Sequence, residues 1–289
     1  MPEVVLLDLK LPKIDGLACS LRYDASGVLE VAATRGDGEV GDDITPNARA
    51  VAGIPVRIAA GPLEVRGEVY LSLEGFERHK REGKANPRNV AAGALRQKDP
   101  NQTRAAGLAF LAYGVRAADC ATMAGRLAHA HSLGFTTVTH EVAPVSDAVS
   151  TLQRFAAARA ALPYETDGVV LMANDVSEHA RLGATAHHPR FAIAWKFQGE
   201  EGQSVLRGVE WSVARTGTIT PVALVDPVEL SGVTITRATL HHQGTLAKLG
   251  LTLGATVAMV RRGGVIPHLE PLLVAGNAPI DNPTSCPAC

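Results

Sequence analysis

Two lysines lie in stretches whose remaining residues are mostly apolar and favour β-strands. Lys13 occurs in "LPKIDGLACSL" (11–21), two residues before Asp15, and Lys196 occurs in "FAIAWKF" (191–197). A lysine amine attacks as a nucleophile only when it is neutral, so its pKa must fall from about 10.4 through desolvation or positive neighbours. The alternative is an ordinary charged strand end with a weak ion pair, which is favoured for Lys13 taken alone. A second intra-strand lysine in one domain weakens that alternative.

Further charged residues lie in short segments that suit phosphate or nucleotide binding. These segments are "RGDGEVGDDI" (35–44), "VRGEV" (65–69), "ANPRNVAAGALRQKDP" (85–100) and "TDGVV" (166–170). In the third segment, Arg88, Arg96 and Lys98 surround small residues, so the backbone could approach a polyanion while guanidinium forks contact phosphates. Asp167 begins a strand in the fourth segment and is a plausible metal or ligand position. An alternative remains open for each of the first three segments: a hairpin loop for the first, a surface charge pair for the second and a solvated loop for the third.

The composition describes an ordinary globular protein. The chain has 289 residues, of which 46% are hydrophobic and 20% are charged, with a net charge of −1. This length predicts two domains, and the charge excludes a global basic field. Any nucleic-acid binding therefore needs local patches of positive charge.

The N-terminus and the cysteines indicate a cytoplasmic protein. Asp8 and Lys10 interrupt the first short apolar run, which predicts neither a signal peptide nor a membrane span. Cys19 and Cys120 are isolated, and "CPAC" ends the chain (286–289). This small number of scattered cysteines fits a protein of a reducing compartment better than a disulfide framework. Cys286 and Cys289 would supply half of a four-ligand zinc site.

Strand and helix signals alternate up to about residue 197 and change beyond it. Alternating apolar residues predict strands, and Thr45 and Ser146 are predicted as helix caps. The predicted strands cover 28–34, 63–71, 108–115, 167–174 and 191–197, and the predicted helices begin at 45 and cover 74–83, 119–133 and 146–162. "QGEEGQ" (198–203) is interpreted as a linker. Short strands separated by Gly and Pro then predict a small β-barrel.

Taken in order, these stretches closely resemble the bacterial NAD-dependent DNA ligases. The resemblance spans nearly the whole chain and rests on "KIDGLA", "ATRGDGEVGDDITPN", "VRGEVYL", "ANPRNVAAGALRQKDP", "YGV", "LPYETDGVV", "AWKF", "ARTGTITPVALVDPVEL", "ATLHH", "RRGGVIP" and "CPAC". It implies an α+β nucleotidyltransferase domain with ATP-grasp-like antiparallel sheets and helices, followed by an all-β OB-fold barrel. The implied boundaries are 1–198 for the adenylation domain, 199–277 for the OB-fold and 278–289 for the start of an incomplete zinc finger.

The resemblance also implies the chemistry. NAD would donate AMP to a lysine with loss of nicotinamide mononucleotide, AMP would pass to the 5′-phosphate of a nick in duplex DNA, and the 3′-hydroxyl would displace AMP during replication and repair. Mg²⁺ would neutralise phosphate charge. We expect a monomer that binds nicked double-stranded DNA and no membrane.

Individual roles follow from the same resemblance. Lys13 would be the adenylated nucleophile, with Asp15, Asp167 and Lys196 as catalytic companions. Residues that would contact the cofactor or its phosphates are Arg35, Glu68 (at the ribose), Tyr113 (stacked on adenine), Arg88, Arg96, Arg159 and Lys196. Residues that would lie near the DNA backbone in the OB-fold are Arg215, Arg261 and Arg262.

The chain also departs from the family pattern. The family has glutamate where this chain has Leu11, and lysine where it has Met172. Losing that ammonium would remove positive charge beside the reacting phosphate. No segment matching the family's N-terminal NMN-binding subdomain, complete zinc finger, helix–hairpin–helix array or BRCT domain is recognised. These departures predict a truncated and impaired ligase.

Two other functions remain open. One is a binding module for nicked DNA or nucleotides that has lost turnover. The other is an ATP-dependent ligase or capping-type nucleotidyltransferase, which shares the lysine motif but against which "RGDG", "ALRQ", "TPVA" and "CPAC" argue. The preferred nucleotide donor would separate these classes.

Overall fold

The computed structural model divides the chain into two compact units, residues 1–197 and 198–289. The described residues are 3–7, 16–36, 40–82, 86–116, 120–185, 188–197, 201–230, 233–262 and 266–288. The predicted site residues Lys13 and Asp15, together with Leu11 and Cys289, lie outside them. None of the helices within these ranges is long and apolar enough to cross a membrane.

The first unit mixes strands and helices along the chain. Its strands are β1 Glu3–Leu7, β2 Gly16–Tyr23, β3 Leu29–Thr34, β4 Leu63–Tyr70, β5 Ala109–Arg116, β6 His140–Pro144, β7 Gly168–Ala173 and β8 Ala192–Lys196. Its helices are α1 Thr45–Ala48, α2 Leu73–Arg81, α3 Pro87–Leu95, α4 Pro100–Ala106, α5 Met123–Ser132, α6 Ala148–Ala158 and α7 Val176–Leu182, with 3-10 turns at Val145–Asp147 and Arg159–Ala161.

The strands of the first unit form two four-stranded antiparallel sheets. The first sheet has the order β6-β1-β7-β8, and the second has the order β3-β2-β4-β5. Helices α1 and α3 pack against the second sheet, and the largest core cluster lies there, including Leu21, Val65 and Phe110. Helix α6 covers one face of the first sheet through a smaller cluster that contains Leu152 and Val169.

A third apolar cluster contains side chains from both sheets. Its buried members include Leu111 of β5 and Val170 of β7, and Tyr70, Tyr113 and Met172 pack against it. Because directly opposed residues in a ladder share one face, this cluster identifies the facing sides of the two sheets.

The second unit is a β-barrel with one described helix. Its elements are β9 Glu201–Val213, β10 Ile219–Leu230, β11 Val233–Thr239, α8 Gln243–Leu249, β12 Thr256–Arg262 and β13 Ile266–Val274. The sheet order is β11-β10-β9-β12-β13, and its two edge strands also contact each other, which closes the sheet around a core that includes Leu206, Val257 and Met259. The predicted fold class, an α+β unit followed by an all-β barrel, is confirmed.

Several local predictions were wrong. Thr45 is the first residue of α1 rather than its cap, and its hydroxyl donates to Asp43 Oδ1 and accepts from the Ala32 amide. Ser146 lies in a 3-10 turn before α6. The stretch at 85–100, for which a solvated loop was left open, contains α3, because its small residues pack as a helix face. Strand β9 begins at Glu201, inside the predicted linker.

Candidate functional site

The segment that carries Lys13 connects the two sheets of the first unit. Strand β1 ends at Leu7, which pairs with Val170, and β2 begins at Gly16, which pairs with Tyr70. The described residues that flank Lys13 in the sequence therefore belong to different sheets. Each of them pairs with a residue at the cluster between the sheets, because Val170 is a buried member of it and Tyr70 packs against it.

Asp167 and Lys196 form an ion pair at the start of β7. Lys196 pairs with Gly168 in the ladder, and Lys196 Nζ lies 2.9 Å from Asp167 Oδ2. The Asp167 carbonyl accepts a hydrogen bond from the Phe197 amide at 2.9 Å. A Cβ on Gly168 would lie 2.5 Å from the Trp195 carbonyl oxygen, so glycine permits this close approach of the two strands.

The two members of this ion pair differ in exposure. The Lys196 side chain is 46% exposed and the Asp167 side chain only 17%. Oδ1 of Asp167 is buried and has no hydrogen-bond partner among the described residues. A buried acceptor without a donor is costly, so this oxygen is positioned to receive a cation or a donor.

Glu68 and Tyr113 lie on the facing side of the second sheet. Glu68, only 8% exposed, pairs with Ala18 on β2 and Leu111 on β5. The ladder between β4 and β5 shifts at Arg66, which leaves Tyr113 at a β-bulge. Burial raises the pKa of the Tyr113 phenol, and the nearby Glu68 charge raises it further, so the phenol stays protonated near neutral pH.

Arg35 follows β3 and reaches the same neighbourhood. Its amide donates to the Ala18 carbonyl at 3.1 Å, and its positive charge opposes the rise of the Tyr113 pKa. Gly36 has φ +53°, and a Cβ on it would lie 1.6 Å from the Val40 carbonyl oxygen, so the backbone at Gly36 lies close to Val40.

Arg88 and Arg96 lie at opposite ends of α3. Asn86 caps this helix by accepting from the Asn89 amide at 2.8 Å, and Arg88 follows at its first turn, partly buried. Arg96 is exposed, and its guanidinium lies 3.4 Å from the carboxylate of Asp42 in the Gly-rich segment. A weak ion pair therefore links the end of α3 to that segment.

Arg159 is placed on a different side of the first sheet. Its guanidinium lies 5.3 Å from the centre of the Phe197 ring. Phe197 packs with Leu152 and Val169 on the face that α6 covers, opposite to the face shared by Lys196 and Val170. The described structure therefore does not bring Arg159 together with the Lys196–Asp167 pair.

Met172 lies on the facing side of the first sheet. It pairs with Ala192 on β8 and packs, partly buried, against the cluster that contains Leu111 and Val170, as Tyr113 also does. The position at which the family pattern has a lysine is thus occupied here by an apolar side chain at the cluster between the sheets.

Sequence reasoning missed two aromatic residues at this site and a cysteine that packs in the core on the opposite face of the second sheet. Tyr70 and Tyr164 contact each other edge to face, with ring centres 5.3 Å apart, and both border the cluster between the sheets. Strand alternation from Glu68 would have indicated Tyr70. Cys19 is fully buried, and desolvation and the Glu68 charge raise its thiol pKa, so it is an inert packing residue.

The predicted residues of the second unit are only partly described. Arg215 is exposed in the turn between β9 and β10, where Gly217 has φ +82°. Arg261 and Arg262 end β12. Cys286 is exposed, and within the described ranges no group of three or more His, Cys, Asp or Glu side chains could hold a metal ion.

Two family models match the chain. The model for the NAD-dependent DNA ligase adenylation domain matches residues 7–200, and that for the NAD-dependent DNA ligase OB-fold domain matches residues 203–277.

Curated relatives share about two-fifths of the aligned residues. A DNA ligase from Thermomicrobium roseum is 41% identical over 302 residues, covering 96% of this chain and 43% of that protein. A DNA ligase from Lactobacillus delbrueckii subsp. bulgaricus is 39% identical, with 96% and 44% covered, and one from Xanthobacter autotrophicus is 42% identical, with 96% and 41% covered. The chain thus spans less than half the length of these relatives.

Solved structures support the fold. Pmar-Lig_PreS3 is 12% identical with a TM-score of 0.54, covering 94% of this chain and 64% of that chain. Pmar-Lig_Pre. is 14% identical with the same TM-score, covering 96% and 64%. At these identities the likeness concerns the fold alone.

Proposed function

Because this chain belongs to the family of NAD-dependent DNA ligases, we propose that it takes AMP from NAD, transfers it to a DNA 5′-phosphate and seals nicks in duplex DNA. Lys13 is the proposed nucleophile. Its Nζ forms a bond to the α-phosphorus, while the bond from that phosphorus to nicotinamide mononucleotide breaks and the mononucleotide leaves with the electron pair. The proposed domains are 1–198, 199–277 and the start of a zinc finger at 278–289.

One observation carries this proposal: Lys196, which is paired with Asp167, lies on the same face of the first sheet as Val170, and Val170 is the ladder partner of Leu7, the last described residue before Lys13. Lys196 extends its ammonium with 46% exposure from the face that looks toward the second sheet. A fixed positive charge beside a reacting phosphate stabilises the charge that develops in the transition state. In this proposal, Lys196 holds the AMP phosphate.

Asp167 supplies negative charge to the same place. Because Lys196 occupies only Oδ2, the buried Oδ1 is available to a second cation. Asp15 would assist Lys13 from the same segment. The Lys13 amine attacks in its neutral form, after its proton has passed to solvent.

The second sheet would bind the rest of the nucleotide. Glu68 is a buried carboxylate that suits hydrogen bonds from ribose hydroxyls, and Tyr113 offers a ring for stacking on adenine. Arg35 is near both, and with Arg88 and Arg96 it would contact phosphates of the cofactor or the nick. The position of Arg159 on the other face of the first sheet supports a role toward DNA rather than toward AMP.

Mg²⁺ fits this site through Asp167. Mg²⁺ prefers oxygen ligands and usually takes one or two carboxylates together with water and substrate phosphates. The buried Oδ1 of Asp167 is a carboxylate oxygen without a partner in the described part of the chain. Bound there, the ion would neutralise phosphate charge. Zinc would require Cys286 and Cys289 together with two further ligands.

The second unit would contact DNA. OB-folds bind nucleic acid along a charged groove, and Arg215, Arg261 and Arg262 would contribute phosphate contacts that weaken with salt. We propose that the chain acts as a monomer on nicked duplex DNA.

Met172 favours a second candidate function, nucleotide or nicked-DNA binding without turnover. An apolar side chain at the cluster against which Tyr113 also packs supplies no charge to a phosphate. Retention of Lys13, Asp15, Glu68, Asp167 and Lys196 favours turnover.

Intact-mass spectrometry separates these candidates. The purified chain is measured as isolated, after NAD with Mg²⁺, and after ATP with Mg²⁺. We expect a mass increase of one AMP with NAD only, mapped to Lys13, and its complete loss in Lys13→Ala. Lys80→Ala, an exposed lysine of α2, is the matched control and should retain the adduct.

Each other outcome has a definite meaning. An adduct that survives in Lys13→Ala would show that another residue is the nucleophile. An adduct with ATP alone would place the chain with ATP-dependent enzymes. No adduct with either donor would leave the binding function as the better proposal.

A further inference from the structure

The facing side of the second sheet continues beyond Tyr113 into a group of arginines. Arg22 of β2, Glu64 of β4 and Arg116 of β5 pair directly across three neighbouring strands. Arg66 lies two residues along β4 from Glu64, so it projects from the same face. Arg22, Arg66 and Arg116 together form a surface that we call the arginine face.

The partly buried carboxylate of Glu64 positions the arginines of this surface. Its carboxylate accepts from Arg66 Nε at 2.7 Å and from Ser20 Oγ at 3.0 Å, and Arg116 Nη1 lies 3.7 Å away. The Glu64 side chain is 18% exposed, whereas those of Arg66 and Arg116 are 49% and 68% exposed. Because Arg66 is held through Nε, its two terminal nitrogens are left to bind outward.

On the described parts of β2, β4 and β5, the charge that reaches solvent from this face is positive. Arg22 is exposed as well, while Glu68, a second carboxylate of β4 on this face, is buried. The guanidinium group binds phosphate in a fork geometry, so a row of such groups on adjacent strands suits an extended polyanion. The strands of Arg22 and Arg116 lie about 10 Å apart, since neighbouring strands are about 4.8 Å apart.

The position of the arginine face fits a long ligand rather than the reacting nucleotide. Strand β2 covers about 20 Å between Gly16 and Arg22 at about 3.3 Å per residue. The Lys13 segment enters at Gly16, so the arginines lie at the other end of the sheet. Duplex DNA carries a charge for about every 1.7 Å of its axis and can reach both ends.

We propose that the arginine face binds the phosphate backbone of the DNA substrate outside the nick. This inference rests on the proposed ligase function and adds a contact surface of the first unit to it. The contacts carry no sequence information, because phosphates are common to all sequences. They position the duplex and make its affinity dependent on salt.

Fluorescence anisotropy with a labelled nicked duplex measures the affinity of this surface for DNA. The measurement is repeated at sodium chloride concentrations from roughly 50 to 300 mM, where phosphate contacts dominate the salt dependence of binding. The test variant is Arg22→Gln/Arg116→Gln, which leaves Arg66 intact because its charge also acts on Tyr113. The matched control is Arg154→Gln/Arg181→Gln, which removes two exposed, ion-paired arginines from α6 and α7.

The expected result is a change in salt dependence. The slope of log Kobs against log[salt] should fall in magnitude by about 1.8, since each lost phosphate contact removes about 0.9. Affinity near 100 mM salt should fall roughly 10- to 100-fold for the same reason. The control should keep the wild-type slope. Equal slopes for the test and control variants would overturn the proposal.

A second arm identifies the ligand and separates this proposal from the ligase function. The rate of lysine–AMP formation is measured against NAD concentration in the test variant. The proposal would be overturned if the half-saturating NAD concentration rises while the salt dependence of DNA binding stays unchanged. The arginine face would then bind NAD and not DNA. If the wild-type chain forms the adduct but does not bind nicked DNA, the DNA contact fails while adenylation stands. If it does neither, both proposals fail.

Discussion

The facing sides of the two sheets in the first unit are built from different residues. Among the side chains that the structure describes, the first sheet presents Val170, Met172 and Ala192, and the Lys196–Asp167 ion pair lies at one end of this face. The second sheet presents charged residues along its length, with Glu68 buried near one end and exposed arginines near the other. One side therefore concentrates charge at a point, as a reacting phosphate requires, and the other distributes it, as a nucleotide and a polyanion require.

The largest expected effect comes from removing the point charge. Lys196→Met should slow lysine–AMP formation by about 100- to 1,000-fold, because loss of one preorganised electrostatic contact costs about 2.7–4 kcal/mol of barrier. Single-turnover adduct formation with saturating NAD measures this rate.

Lys196→Arg is the matched variant, since it keeps the charge beside Asp167 and should recover part of the rate. Equal rates in wild type and Lys196→Met would contradict the proposed contact with the AMP phosphate. Equal losses in the two variants would show that shape matters at this position more than charge.

The next effect concerns the approach of β8 to β7. In Gly168→Ala, the new Cβ would lie 2.5 Å from the Trp195 carbonyl oxygen and 3.0 Å from Lys196 Cα, both backbone atoms. Strand β8 must shift, so we expect a loss of about 2 kcal/mol in unfolding free energy. Denaturant unfolding followed by Trp195 fluorescence measures it, in a Trp211→Phe background that removes the signal of the second unit.

Gly93→Ala provides a control of opposite sign. Gly93 is exposed in α3, and a Cβ there would meet nothing within 4 Å. Alanine favours helix over glycine by up to about 1 kcal/mol, so this variant should be more stable than wild type. Equal effects of the two substitutions would contradict the close approach at Gly168.

The sequence allowed the strands that carry most of the candidate site residues to be predicted, but not the division of these strands between two sheets. Alternation of apolar residues located the strands that carry Glu68, Tyr113 and Lys196. It did not reveal β1, whose partners β6 and β7 lie more than 130 residues away, because the pairing of distant strands leaves no local pattern. The separation of Arg159 from Lys196 also depends on strand direction and register, which a linear pattern does not contain.

Local chemistry explains the remaining errors. Thr45 was predicted as a helix cap from its residue type, but its hydroxyl bonds to Asp43 and the Ala32 amide instead. A solvated loop was left open for residues 85–100 because they are small and polar, although Asn86 and Pro87 are a common helix start. In both cases a short-range side-chain hydrogen bond, from Thr45 to Asp43 and from the Asn89 amide to Asn86, sets the local structure.

A smaller effect should follow from adding charge to the apolar side. Met172→Lys would place an ammonium near Tyr113, and we expect lysine–AMP formation to rise about tenfold, which corresponds to about 1.4 kcal/mol of barrier. The same adduct measurement applies, with Met172→Leu as the control of similar volume. An unchanged rate in Met172→Lys would mean that a different feature limits adenylation.

The smallest effect concerns the stability contributed by the charged side. Burial opposes ionisation of Glu64, but hydrogen bonds from Arg66 and Ser20 outweigh it and lower the Glu64 pKa below its usual value. A carboxylate with a lowered folded-state pKa stabilises the fold above its unfolded pKa of about 4.3 and loses that contribution as the pH falls through the folded value. Glu64→Gln should therefore reduce the unfolding free energy at pH 7 by about 0.2–1 kcal/mol, typical of a partly exposed ion pair. The difference from wild type, measured by Trp195 fluorescence, should shrink as the pH falls below about 4.3. A difference that stays constant with pH would show that Glu64 acts through packing, and the arginines would then owe their arrangement to something other than its charge.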